Sequence, residues 1–342
     1  MCIRDRFYAL LISIFFGLTA SLLAPTGDLY RAYMTYFQFQ ETDFNGLLNF
    51  LNDKPDFLFY VILYVFAQLG ISLRIIIFAL IFSFFNLSFN ILLKQKRQVS
   101  MIVVLLFILQ FDFLLQGLFL RFPLAMLFVI YCYLNKIEGE KGVLLFLLLA
   151  SLIHFAALIT IPLFFLSKIK FKRLNLILLI SLFIMPFGSM LFMYLTNNLI
   201  HYLPESPLKT KIDIYFLGYW ALEFFEERTW KALLLFYLER IFYILVLLYF
   251  IFTKDQNKFR RYTLPFLILI NILFSFPNLF SRYAVLAFFF GLYTIIQENR
   301  TTAISKMIKM SFAIIIPLIF TVRIVAQQKN IRAGHIHSVV YS

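Results

Sequence analysis

An all-α, polytopic bundle of membrane-spanning helices is the fold class this sequence predicts, and three observations predict it. Of 342 residues, 62% are hydrophobic and 14% are charged, against roughly 25% charged in soluble domains. Mean hydropathy is +0.88. The apolar residues gather into runs of span length with short polar breaks between them. A soluble globule of this size has too little interior to hide so much apolar surface. The same figures exclude disordered chains and disulfide scaffolds. At about 20 residues per span, the chain has room for about 9–12 membrane segments.

The elements follow in order from runs and breaks. The first span is 7–24, followed by a polar segment, 25–56. Runs 57–69 and 74–93 come next, then a basic break at 94–97, then 99–118 and 119–134. Run 142–166 is unbroken in hydropathy, and 174–195 follows a basic break at 167–173. A second long polar segment, 196–231, precedes runs 232–253, 262–277, 283–297 and 310–326. The whole chain, 1–342, reads as one integral membrane domain. Segments 25–56 and 196–231 are its external loops, 327–342 is a polar tail, and 1–6 is read as a non-native start on a truncated terminus. Cys2 and Cys132 form neither a metal site nor a disulfide framework.

Charge sets the orientation. The 31 Lys and Arg against 17 Asp and Glu leave +14. Four short breaks, 94–97, 168–173, 254–261 and 298–309, hold 14 basic residues against two acids, or +12 of that total. Segment 25–56 has five acids and two bases. Basic breaks belong in the cytoplasm, so the long acidic segments belong outside. Scattered anchors of this kind do not make a nucleic-acid patch. All four breaks fall inside only if 57–73 and 142–166 do not cross fully. The second of these would then be a re-entrant pair of half-helices around His154.

Ionisable groups inside spans are costly and mark functional candidates. They are Asp112, Arg121, His154, Glu239, Arg240, Arg282 and Arg323. Arg121 precedes Pro123, which fits the first turn of a helix, so Arg121 sits at a helix entry. Arg282 is expected in the same setting, at an external turn between two apolar halves. Two arginines at external helix entries suit a pyrophosphate, because guanidinium forks match phosphate oxygens. A snorkelling anchor is the competing role. His154 lies mid-run, as a packing residue or as a donor, acid or base. Glu239 and Arg240 point about 100° apart on a helix, so Glu239 is free to meet an arginine from another span. Asp112 with Gln116, and Asn86 with Asn90, share faces suited to interhelical bonds. In the first loop, Asp28, Tyr30 and Tyr33 fit a short helix at the membrane surface, with Asp28 as an alternative N-cap. Glu41 and Asp43 make only a weak divalent-metal pattern, and no metal is assigned. His335 and His337 lie in the polar tail and receive no role.

The order of these pieces resembles the EpsG family of exopolysaccharide-polymerisation membrane proteins, similar in kind to Wzy O-antigen polymerases. The matching parts are Gly27-Asp28 before spaced tyrosines, Leu120-Arg121 before Pro-Leu-Ala, Leu152-Ile-His154 before Phe-Ala-Ala, and Asn278-Leu-Phe-Ser-Arg282-Tyr. This chain has Arg-Phe-Pro where the family often has Arg before Gln and a small residue. The resemblance implies glycosyl transfer at the outer face of the bacterial inner (cytoplasmic) membrane. Donor and acceptor would be oligosaccharides on a polyprenyl diphosphate, with no cofactor. Arg121 and Arg282 would bind the diphosphate, with Tyr30, Tyr33, Glu239 and Arg240 also lining the substrate. Asp28 or His154 would handle the acceptor hydroxyl. The implied partners are the lipid-linked oligosaccharide, membrane lipid and other polysaccharide-assembly proteins. A lipid-linked oligosaccharide flippase and a metal-dependent glycosyltransferase working through Glu41 and Asp43 are the alternative functions.

Overall fold

The computed structural model describes residues 3–25, 27–52, 54, 56–93, 106, 109, 120–134, 140–202, 204, 206, 209, 230–253, 258–298 and 303–326. Asp112 and Gln116 lie outside the described residues. All regular structure among those described is helical. In chain order the helices are α1 (Ile3–Ser21), α2 (Gly27–Glu41), α3 (Phe44–Leu51), α4 (Phe57–Gln68), α5 (Leu73–Leu93), α6 (Arg121–Leu134) and α7 (Glu140–Ile153). They continue with α8 (Thr160–Leu166), α9 (Phe171–Ile184), α10 (Gly188–Leu199), α11 (Trp230–Phe252), α12 (Lys258–Leu273), α13 (Pro277–Gln297) and α14 (Ala303–Ala326). Among the described residues, four helices are long and apolar enough to cross a membrane: α5, α11, α13 and α14. The fold is that of an all-α polytopic membrane protein.

Several elements differ from the expectation. Segment 25–56 is mostly α2 and α3 rather than open loop. Run 174–195 is interrupted between α9 and α10, at Met185-Pro186-Phe187. Run 142–166, in contrast, does break at His154, as the half-helix reading expects: the His154 backbone is extended (φ −148°, ψ 117°), and the chain resumes as a 3₁₀ turn, Phe155–Ile159, leading into α8. The last basic break is helical from Ala303, so Lys306 and Lys309 stand on the first turns of α14.

The chain divides into two compact units, with the division after Ile161, inside α8. In the first unit α1 packs on α5 and α6 on α7. A Cβ on Gly17 would stand 2.9 Å from the Phe78 ring, so the glycine lets α1 and α5 approach. Helix α4 buries Phe59, Leu63 and Ala67, one face at spacing four. At its end Gly70 takes φ 67°, a left-handed value that glycine tolerates. The corner between α2 and α3 is pinned there. Gln68 Nε2 donates to the carbonyls of Phe39 (2.6 Å) and Thr42 (3.0 Å), and Tyr36 Oη donates to that of Ile71 (2.6 Å).

In the second unit α12 and α13 form the central hairpin, with α9, α10 and α11 against it. Residues 263–271 of α12 are all buried, as expected for a helix apolar on every side. Its few polar groups bond across helices. Asn271 Nδ2 donates to Ser181 Oγ (2.7 Å), Tyr243 Oη lies 2.6 Å from Asn271 Oδ1, and the Thr263 and Thr294 hydroxyls are 2.8 Å apart. Such bonds contribute about 0.6–2 kcal/mol each in apolar surroundings. Gly188 opens α10, and a Cβ there would stand 2.7 Å from the Ile272 carbonyl oxygen. Gly188→Ala should therefore force α10 from α12 and cost about 1–3 kcal/mol, the usual range for overpacking. An unchanged unfolding midpoint in detergent would show that the contact is not that tight.

Candidate functional site

Arg121 is the first residue of α6, with Pro123 in the first turn, where its missing N–H leaves no bond unmade. Its partner comes from 65 positions earlier. Asp56 occupies the N-cap position of α4 but makes no capping bond. Its carboxylate turns to Arg121 instead, with Oδ2 2.7 Å from Nη1, the two side chains being 6% and 26% exposed. Tyr60, one turn further along α4, places its hydroxyl 3.1 Å from the same nitrogen and its ring 5.8 Å beneath the guanidinium. A buried carboxylate and a phenol thus fix one arm of a guanidinium that still reaches the surface.

An aromatic chain extends from this contact. Tyr60 meets Phe50 (5.1 Å), Phe50 meets Phe39 (5.1 Å), and Phe39 meets Tyr64 (5.7 Å), all edge to face. Lys54 Nζ stands 5.2 Å from the Phe50 ring. On the α6 side, Phe122 meets the His154 ring at 5.5 Å. His154 caps the 3₁₀ turn, with Nδ1 accepting from the Ala156 N–H at 3.1 Å. That bond assigns its ring proton to Nε2 in the neutral form.

The other first-unit candidates are placed as follows. Asp28 is the second residue of α2. Tyr30 is exposed. Tyr33 bonds to Arg74 at the head of α5; burial raises its phenol pKa and Arg74 partly offsets that. The phenol therefore stays protonated near neutral pH. Asp43 caps α3, its Oδ1 accepting from the Gly46 N–H at 2.8 Å. Among the described residues, no group of three His, Cys, Asp or Glu could hold a metal ion.

In the second unit Glu239, buried on α11, meets an arginine from another helix, Arg323 on α14, at 2.7 Å. Its other oxygen accepts from Ser281 Oγ on α13 at 3.3 Å. Arg240 turns elsewhere. Its guanidinium lies 4.4 Å from the Phe280 ring, and Nη2 donates to the Phe274 carbonyl at 2.8 Å, just past the end of α12. This satisfies a helix-end carbonyl and places the charge against aromatic faces. Arg282 is half-buried and is the sixth residue of α13, because that helix starts at Pro277 rather than after Arg282. It therefore stands inside a helix, not at the turn the sequence suggested. Arg260, expected as a cytoplasmic anchor, is buried 3.8 Å from buried Glu298 and donates to Thr253 Oγ1 at 2.8 Å.

Sequence reasoning missed Asp56, Tyr60 and Ser281. The signal for the first two was an acid at the edge of an apolar run with a tyrosine four residues on, on the same helix face.

Charged pairs and polar side chains set among apolar helices define the class: an integral membrane protein of the polytopic α-helical kind. The model of the EpsG family matches residues 6–333, nearly the whole chain, and the protein belongs to that family. No curated protein and no solved structure matches it.

Proposed function

We propose that this protein joins oligosaccharide repeat units carried on polyprenyl diphosphate, at the outer face of the bacterial inner membrane. Family membership supports the class of activity. The contact of Arg121 with Asp56 and Tyr60 carries the reading to a residue. In the reaction, a hydroxyl of the acceptor glycan attacks the anomeric carbon of the donor's first sugar. The bond from that carbon to the diphosphate oxygen breaks, and its electron pair leaves with the diphosphate. The hydroxyl proton passes to a base.

Charge therefore develops on the leaving diphosphate, and a preoriented guanidinium answers it best. Asp56 and Tyr60 hold Arg121 before substrate arrives, so little ordering remains to be done on binding. Asp28 and His154 are assigned to the acceptor hydroxyl, and Tyr33 to sugar contacts. Within the second unit, Glu239 and Arg240 hold the helices that carry Ser281 and Arg282. Other polysaccharide-assembly proteins supply the lipid-linked units.

Deleting the protein tests this reading by the fate of the repeat units. Single units should accumulate on their carrier at the outer face while long polymer disappears. Units trapped at the inner face would instead identify a flippase, and unchanged polymer would remove both assignments.

A further inference from the structure

We propose that α2 and α3 lie flat in the bilayer surface, with one stripe of each helix among lipid headgroups and upper acyl chains. The inference rests on the membrane character of the chain and not on its chemistry. Residues on a helix are spaced about 100° apart, so side chains at spacings of three, four and seven share a face. Helix α2 has three such faces. Ala32, Tyr36 and Phe39 turn to the protein, and the last two are 3% and 0% exposed. Tyr30, Met34 and Phe37 form a second stripe, each 53–55% exposed. Arg31, Thr35 and Gln38 form a third, polar stripe, with Arg31 and Gln38 exposed and Thr35 half-buried. The apolar stripe ends at Glu41, where the chain turns.

Helix α3 repeats the pattern in eight residues. Leu47 is buried, Phe44 and Leu48 are 63% and 47% exposed, and Asn45 and Asn49 are exposed on the polar side. Neither single solvent suits these helices. A helix wholly in water would leave Tyr30, Met34 and Phe37 as an uncovered apolar stripe. A helix crossing the bilayer would hold Arg31, Thr35 and Gln38 against lipid tails. The boundary between water and hydrocarbon accommodates both stripes side by side, which is the chemistry of an interfacial helix. Tyr30 at the apolar edge fits this depth, because tyrosine rings prefer the headgroup level. The bonds from Gln68 and Tyr36 fix the pair to the body of the unit, so the stripes keep their orientation.

A consequence reaches the site described above, and this part alone rests on the proposed function. Phe50 of α3 touches Tyr60, which bonds Arg121. Interfacial helices would then hold the guanidinium near the depth of lipid phosphates, where the diphosphate of a polyprenyl carrier resides.

The test places single tryptophans in a chain whose Trp220 and Trp230 are replaced by Phe, reconstituted into phosphatidylcholine vesicles. Bromines near the headgroup end of the acyl chains should quench Phe37→Trp at least twofold more than bromines near the bilayer centre. Iodide should quench Gln38→Trp strongly and Phe37→Trp weakly. Tyr30→Trp gives an independent reading of the same stripe. Strongest quenching of Phe37→Trp by central bromines would mean a buried span and overturn the proposal. Quenching by iodide alone would place α2 in water and overturn it as well. Quenching by neither would mean that protein, such as a second copy of the chain, covers the stripe, which also overturns it. None of these outcomes depends on polymerase activity.

Discussion

Glu239→Ala should lower the unfolding midpoint of the detergent-solubilised protein sharply. The Glu239 carboxylate is 2.7 Å from Arg323, with the side chains 10% and 8% exposed. Removing it leaves a guanidinium buried among apolar helices and takes the acceptor from Ser281. Breaking a buried pair from one side costs about 3–5 kcal/mol, mostly the penalty of the charge left behind. The double variant Glu239→Gln, Arg323→Met removes both charges together. It should recover most of the loss, because a paired burial is close to neutral against an apolar replacement. A Glu239→Ala midpoint equal to the parent's would mean that water or another protein group answers the Arg323 charge.

The same pair marks where sequence reading stops. Intramembrane position identified Glu239 as needing a cation, and its spacing from Arg240 showed that its neighbour need not supply it. Which arginine answers is a matter of tertiary packing, and Arg323 lies 84 positions away. Asp56 escaped notice for a related reason. It stood at the end of an acidic segment read as an external loop, and only the fold brings the first residue of α6 to the start of α4. The helical runs were legible from hydropathy because lipid demands it, but hydropathy alone does not mark breaks within an apolar run. Pro186 was the available signal for the interruption between α9 and α10. Pro277 was the signal for the true start of α13, since proline is well suited to the first helical position. Reading it would have placed Arg282 inside the helix. The pause at His154 was legible from charge, because the four basic breaks share one side only if 142–166 does not cross fully. In 25–56 the sequence marked only a short helix around Asp28, Tyr30 and Tyr33; its extension to Glu41 and the second helix, α3, were hidden by charge.

Polymer formation should fall by roughly 10²–10³-fold in Arg121→Ala, the range seen when one donor to a developing charge is removed. Arg121→Lys should recover only part of it, since an ammonium keeps the charge but not the planar fork. Rates measured in membranes with saturating lipid-linked repeat units would separate turnover from binding. Loss of turnover is expected, because charge on the diphosphate grows toward the transition state. Arg121→Ala alone has a second consequence, since it strands the Asp56 carboxylate, which is 6% exposed. The double variant Arg121→Ala, Asp56→Asn removes that stranded charge and separates the two roles. If Arg121 binds the diphosphate, the double variant should regain folding and expression yet remain as slow as Arg121→Ala. If it regains activity with folding, Arg121 serves only to neutralise Asp56, and the diphosphate is held elsewhere. Asp56→Asn alone should lie between parent and Arg121→Ala, because the guanidinium stays while its strongest orienting bond is weakened.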